Sequence, residues 1–316
     1  MPEEFRMKRV QYHRYGGPEV LSLEEFALDS PGPGQVRVRI RAAAANPMDW
    51  KIRKGELKMM TGRKFPRGLG HDFAGVVEAV GPNVTRFQVG DEVFGATNLK
   101  EAGTFAEALV TDEKTVFPKP RPLSFEEAAA LPIVSMTAWT ALIDKAKLQA
   151  GQRVFITGCL GGVGRAAAQI AGMRGAEIAG SCSASRRDEA LALGVGEVVD
   201  YRAFDIAKYR DRFDVVFDTA GVLSLTQCGA MLKSRGMSLH IVPTPAKLIG
   251  CLLPSRHHLV FGNPTPQCMA GITDAVEQGK LVPAIGRIAP LSEAISAAIE
   301  FETKGLPNGK LVIVPA

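Results

Sequence analysis

Gly158, Gly161 and Gly164 follow the apolar run Arg153-Val154-Phe155-Ile156-Thr157 and precede Ala166-Ala167-Ala168-Gln169-Ile170-Ala171, which favours helix. A strand turning through glycines into a helix is built to hold a phosphate. The helix N-terminus offers unpaired N–H groups and a positive dipole end, and residues without side chains let an anion reach the backbone. Gly162 and Val163 sit inside the same turn and belong to the predicted cradle. The spacing is G-x-x-G-x-x-G, not the commoner G-x-G-x-x-G, and alone it could join any strand to any helix.

A second stretch narrows the ligand. Where the first strand–helix–strand unit would end, about 20 residues past the glycines, a carboxylate that accepts from ribose hydroxyls marks an NAD site. Here the chain reads Gly180-Ser181-Cys182-Ser183-Ala184-Ser185-Arg186-Arg187, with hydroxyls and guanidinium groups and no acid. An Asp would repel a 2′-phosphate, whereas Arg donates to it in charge-assisted bonds. The stretch therefore predicts NADPH over NADH, with Ser181, Cys182, Ser183, Ser185 and Arg186 around the adenosine phosphate. The plainer reading of Arg186 and Arg187 is a solvated helix start.

The elements that must position these residues alternate. Strands are predicted at 153–157, Ala176–Ser181, Glu197–Asp200, Phe213–Asp218, Gly236–Val242 and His258–Phe261, with helices at about 162–174 and 186–193. Such alternation requires crossovers, hence a parallel sheet with helices on its faces, the doubly wound Rossmann architecture. Tyr201, Gly221 and Val242 fall at strand C-termini, where ligands of open α/β sheets collect.

Residues 1 to about 124 have another texture. Val36-Arg37-Val38-Arg39-Ile40-Arg41 alternates as a half-buried strand should, and Phe73–Val80 and Asp91–Gly95 are further strand candidates. Gly16-Gly17-Pro18, Pro31-Gly32-Pro33-Gly34 and Gly81-Pro82-Asn83 punctuate them as turns. Short strands between such turns suggest a small antiparallel barrel. Ser124 and Glu127 form a capping box opening a helix, and Ser135–Lys147 suits another. Helices at Gln267–Gln278 and Leu291–Thr303 and a strand at Lys310–Val314 follow; this tail is too short for its own core and is expected to pack on the first domain. The layout is 1–124 with 266–316 as one domain and 125–265 as the other.

Composition bounds the rest. The 316 residues are 46% hydrophobic and 22% charged, with 38 Lys and Arg against 33 Asp and Glu. The mild basic excess is spread along the chain, with no block suited to nucleic acid. Cys159, Cys182, Cys228, Cys251 and Cys268 include no C-x-x-C pair, which argues against a disulfide framework or structural zinc and for a reducing compartment. No apolar run reaches transmembrane length, and the N-terminus lacks a signal-peptide core; a cytoplasmic protein without an integral membrane segment is expected.

The chain resembles the zinc-free quinone oxidoreductase (zeta-crystallin-like) branch of the medium-chain dehydrogenase/reductase superfamily. The resemblance rests on Gly16-Gly17-Pro18-Glu19-Val20-Leu21, Asn46-Pro47-Met48-Asp49-Trp50-Lys51, Gly70-His71-Asp72-Phe73-Ala74-Gly75, Val89-Gly90-Asp91-Glu92-Val93-Phe94-Gly95, the Gly161-Gly162-Val163-Gly164 turn and Asn308-Gly309-Lys310-Leu311-Val312. It implies a GroES-like barrel domain, an inserted Rossmann domain, and often a homodimer joined through the Rossmann sheet edge. It also implies hydride transfer from NADPH to a small-molecule quinone or enone. Asn46, Lys51 and Thr137 match positions near the nicotinamide and are candidate donors to a developing oxyanion, with Lys51 and Thr137 also touching the cofactor. Tyr201 matches the adenine border, Phe261 and Gly262 the nicotinamide cover, and Lys310 a further cofactor contact. Enoyl-thioester reduction and NADPH binding with little turnover are the alternatives. Zinc-dependent relatives use a Cys where this chain has Asn46, a His matching His71, and a Cys or Asp around Ile133–Ser135. One ligand cannot build a tetrahedral site, so no metal is expected.

Overall fold

A computed structural model describes residues 6–252 and 255–315. The chain divides into two compact units. One comprises the residues up to Ile133 together with those from Pro283 onward, and the other is Val134–Val282.

In the first unit Gln35–Ala44 is the central strand. It pairs antiparallel with Asp72–Val80, with Ala108–Asp112 and, at Ala43 and Ala44, with Lys310–Val314. Its alternating burial matches the predicted face, with Val36, Val38 and Ile40 in the core beside Phe73, Val93, Phe105 and Leu311. The seven-stranded sheet also holds one parallel pair, Ile285–Pro290 with Lys310–Val314, which departs from a purely antiparallel barrel. A separate three-stranded sheet contains Arg6–Tyr12 and Ser22–Ala27. The Ser124–Glu127 capping box is present, each residue bonding the other's backbone N–H.

In the second unit six parallel strands run in the order Glu197–Asp200, Glu177–Cys182, Arg153–Ile156, Phe213–Asp218, Leu232–His240, His257–Leu259. The strand order reverses beside Arg153–Ile156, the switch point at which open sheets bind ligands beyond their carboxyl ends. The helix Pro266–Glu277, expected with the first domain, lies in this unit instead. Its buried face of Cys268, Met269, Ile272, Ala275 and Val276 explains why, and Gly271 lies so close to the Trp139 ring that a Cβ there would sit 2.2 Å from it. The predicted helix at 135–147 begins earlier, as Pro132–Trp139, and widens into a π-helical stretch, Thr140–Lys145. Among the described residues no helix is long and apolar enough to cross a membrane.

Candidate functional site

The glycine turn is a tight backbone knot. Gly158 has φ +58°, a conformation that costs a side-chain-bearing residue about 1 kcal/mol or more. Its N–H donates to Ser181 Oγ at 3.2 Å, and the Cys159 N–H donates to the Ser181 carbonyl at 3.0 Å, so the turn is fastened to the neighbouring strand. Gly164 passes the Gly158 carbonyl so closely that a Cβ would lie 2.1 Å from that oxygen. Gly161 is the N-cap of the helix Gly162–Met173 and has no side chain to cap it. The first N–H groups of that helix, at Gly162 and Val163, therefore lack intrahelical acceptors, which is the arrangement that binds phosphate.

The second strand ends beside this turn. Ser181 is buried and already accepts from Gly158, and Cys182 is buried with its thiol pushed up by burial. Ser183 and Ser185 share a hydroxyl–hydroxyl bond of 3.2 Å at the surface. Arg186 is not an unencumbered guanidinium. It donates twice to Glu189, at 2.7 and 2.9 Å, and Arg165 from the glycine-turn helix pairs with the same carboxylate. The acid missing from the strand end thus arrives three residues along the next helix. Two guanidinium groups, Arg165 and Arg186, thus converge on one carboxylate. Arg187 donates to the Val198 carbonyl at 2.9 Å.

Further along the same edge Tyr201 is exposed, with the Arg202 guanidinium 4.9 Å from its ring centroid. Gly221 and Val242, predicted independently, are brought together: a Cβ on Gly221 would stand 2.7 Å from Val242 Cβ. Gly262 is likewise against Thr137, 3.0 Å from its Oγ1 on the same measure, and Phe261 is exposed beside it. Missed in the sequence was Asp218, wholly buried at the end of its strand. Its carboxylate accepts from Thr157 Oγ1 (2.9 Å), from the Val222 and Leu223 N–H groups (3.1 and 3.3 Å) and from Lys247 Nζ (2.7 Å). The recurring spacing of acid and base across strand ends offers no pattern that would have found it.

The first unit holds a buried polar cluster. Asn46 precedes Pro47 as the N-cap of the helix Pro47–Arg53, and its N–H donates to Asp49 Oδ2 at 2.7 Å. Its amide is spent internally. Nδ2 donates to Asp72 Oδ2 at 2.8 Å and more weakly to the Ala44 carbonyl, while Oδ1 accepts from Lys310 Nζ at 2.5 Å. Lys310 also reaches Asp72 Oδ2 at 3.2 Å, and Asp72 Oδ1 accepts from the Ile133 N–H. Burial pushes the Asp72 carboxyl up, against the pull of Lys310 and the Asn46 amide. Asn46 and Lys310, expected at the cofactor, are thus tied to Asp72 and to each other. His71 Nδ1 lies 2.8 Å from Asp49 Oδ1, and its buried Nε2 has no hydrogen-bond partner among the described residues. Among the described residues the Lys51 ammonium, half-buried on the same helix as Asp49, makes no ion pair.

These groups do not fit zinc. The amide oxygen at the first ligand position faces an ammonium, and His71 would be a single imidazole where three protein ligands are needed. Among the described residues no three of His, Cys, Asp and Glu are grouped to hold a metal.

Residues 32–121 match the model of the alcohol dehydrogenase GroES-like domain, and residues 193–313 that of the zinc-binding dehydrogenases. The chain is 31% identical to a chloroplastic quinone-oxidoreductase homolog of Spinacia oleracea, over 98% of both chains. It is 32% identical to a 2-methylene-furan-3-one reductase of Solanum lycopersicum, over 98% of this chain and 79% of that one. Among solved structures, the quinone oxidoreductase of Coxiella burnetii superposes with a TM-score of 0.89 at 28% identity, covering 98% of this chain and 99% of the other.

Proposed function

The chain belongs to the quinone oxidoreductase branch of the medium-chain dehydrogenase/reductase superfamily, and we propose that it is a zinc-independent reductase passing hydride from NADPH to quinones or α,β-unsaturated carbonyls. The observation that carries the cofactor is the uncapped helix start at Gly161–Val163 beside the Arg165–Glu189–Arg186 cluster. NADPH, when bound, supplies the hydride from its nicotinamide C4.

Each task of this chain falls to particular residues. The N–H groups of Gly162 and Val163 hold the pyrophosphate, and Arg186 with Arg165 holds the 2′-phosphate. Tyr201 borders the adenine; Gly221 and Val242, in mutual contact, line the sheet edge; Thr137, Gly262 and Phe261 shape the nicotinamide end. Hydride addition leaves negative charge on the acceptor oxygen, which must be met by hydrogen bonds in the absence of a metal. Lys51 is the foremost candidate donor: among the described residues its ammonium makes no ion pair, whereas the Asn46 amide hydrogens are already given to Asp72 and Ala44. A proton, from solvent or from a side chain, completes the reduction.

The test follows NADPH absorbance with 1,4-benzoquinone, 9,10-phenanthrenequinone, a 1-alken-3-one and crotonyl-CoA. Turnover of a quinone or the enone is expected, with a far lower KM for NADPH than for NADH; turnover of crotonyl-CoA alone would move the assignment to enoyl thioesters. Metal analysis of the same preparation should find no stoichiometric zinc, and chelators should leave the rate unchanged.

A further inference from the structure

The buried pair Lys247–Asp218 lies outside the groups assigned above, yet it ties together the pieces of the sheet edge. Asp218 ends the strand Phe213–Asp218, and Lys247 belongs to the helix Pro245–Leu252. Both side chains are withdrawn from solvent. One carboxylate accepts from Thr157, the residue before Gly158, from the Val222 and Leu223 N–H groups beyond Gly221, and from Lys247. The coupling is doubled on the other side: the Ala220 N–H donates to Thr157 Oγ1 at 3.0 Å, and Thr219 Oγ1 donates to the Thr157 carbonyl. The loop Thr219–Leu223 is therefore held in register with the glycine turn by one buried anion.

We infer that Lys247 is a positioning residue for the nucleotide, fixing through Asp218 the loop that carries Gly221 against the glycine turn. The inference rests on the reading of this edge as the NADPH site. A buried carboxylate accepts from two N–H groups, a hydroxyl and an ammonium at full strength only while it is ionised, since a proton occupies an acceptor site and removes the charge, and ionisation in a dry site is favoured by a partner charge. The titratable groups facing Asp218 are Lys247 from the helix Pro245–Leu252, His240 from the neighbouring strand at 3.6 Å, and Cys228 from the helix Leu225–Met231. His240 Nδ1, 3.6 Å from Asp218, lies beyond good hydrogen-bond length yet is near enough to help hold that carboxyl down, and its Nε2 is bonded to Ser238 Oγ, which in turn meets His257 Nδ1. Lys247 is the member of this set whose charged group lies within hydrogen-bond length of Asp218, at 2.7 Å. Without it Asp218 takes up a proton as the pH falls, and its grip on the loop weakens.

The experiment titrates NADPH into wild type, Lys247→Met and Lys247→Arg by calorimetry at about pH 8 and about pH 6, bracketing the range to which an unpaired buried carboxylate can rise. The ratio of variant to wild-type Kd cancels titration of the ligand itself. Lys247→Met is expected to weaken binding about tenfold, as loss of a charge-assisted bond does, with KM for NADPH rising more than kcat falls. The ratio should grow at the lower pH, and Lys247→Arg should restore most of the affinity. Should Lys247→Met fail to fold, Thr157→Val removes the other side of the coupling and should weaken NADPH binding severalfold. A lowered melting temperature with unchanged Kd, in either variant, overturns the inference. A wild-type protein that binds no NADPH overturns the cofactor reading first, and is recognised before any substitution is compared.

Discussion

The Lys310 ammonium stands 2.5 Å from the side-chain oxygen of Asn46, 264 residues away in the chain, and both hold the buried Asp72 carboxylate. A cation supplied by the chain itself thus meets both the Asn46 amide oxygen and the Asp72 carboxylate. Lys310→Met would leave Asp72 buried without its cation, and breaking such a pair from one side costs about 3–5 kcal/mol. Burial already pushes the Asp72 carboxyl up. The folded state therefore holds the proton more tightly than the unfolded state, and stability falls as pH rises through that interval. Urea denaturation of Lys310→Met should show a large loss at neutral pH that shrinks on mild acidification. A loss independent of pH would place the damage elsewhere.

The glycine turn predicts a graded series. Gly164→Ala forces a Cβ to 2.1 Å from the Gly158 carbonyl, so the turn must open; a loss of several kcal/mol and of NADPH binding is expected. Gly158→Ala meets space but has φ +58°, costing about 1–2 kcal/mol with binding weakened. Gly161→Ala, with φ −75° and a contact of 3.2 Å, should be the mildest. Melting temperature and NADPH titration rank the three, and a different order would mean the turn adopts another path.

Much of this was legible because it is local. The alternation along Val36–Arg41 gave the central strand, the Ser124–Glu127 spacing gave a cap, and the glycines between an apolar run and an alanine run gave the turn. What stayed hidden depends on distant partners. Asn46 before Pro47 reads as a free amide donor, and only the return of Lys310–Val314 beside Ala43 and Ala44 shows that its amide is already engaged. Asp218 and Lys247 lie 29 residues apart on a strand and a helix, and no periodicity links them. The Arg186–Glu189 pair, by contrast, stands at helical spacing and is of the local kind that a sequence displays. The Pro266–Glu277 helix was placed with the wrong unit because its apolar face names no partner.

That pair yields a prediction with opposite signs. Arg186→Ala removes a donor to the 2′-phosphate and should raise the KM for NADPH about tenfold while leaving NADH nearly unchanged. Glu189→Gln removes the carboxylate that Arg165 and Arg186 share, and with it one negative charge beside the phosphate. Its KM for NADPH should fall, and its preference over NADH should widen, most visibly at low salt. If Arg186 were only a helix-start charge, neither substitution would move the cofactor ratio.

Acid should undo the second unit through Asp218. Burial alone would raise this carboxyl, but His240, Lys247 and Thr157 outweigh it and hold it at about 2, against an ordinary 3.8. Because the folded-state value is the lower one, the unfolded chain binds the proton first. The stabilisation is complete above the unfolded value and is lost as pH falls from about 4 towards about 2, with a size on the order of 2 kcal/mol. Asp218→Asn removes this dependence but leaves Lys247 buried without its anion. Wild type should therefore lose stability steeply over that interval, while Asp218→Asn, less stable at neutral pH, should lose less across it. Parallel acid curves for the two proteins would show that Asp218 is not ionised in the folded state.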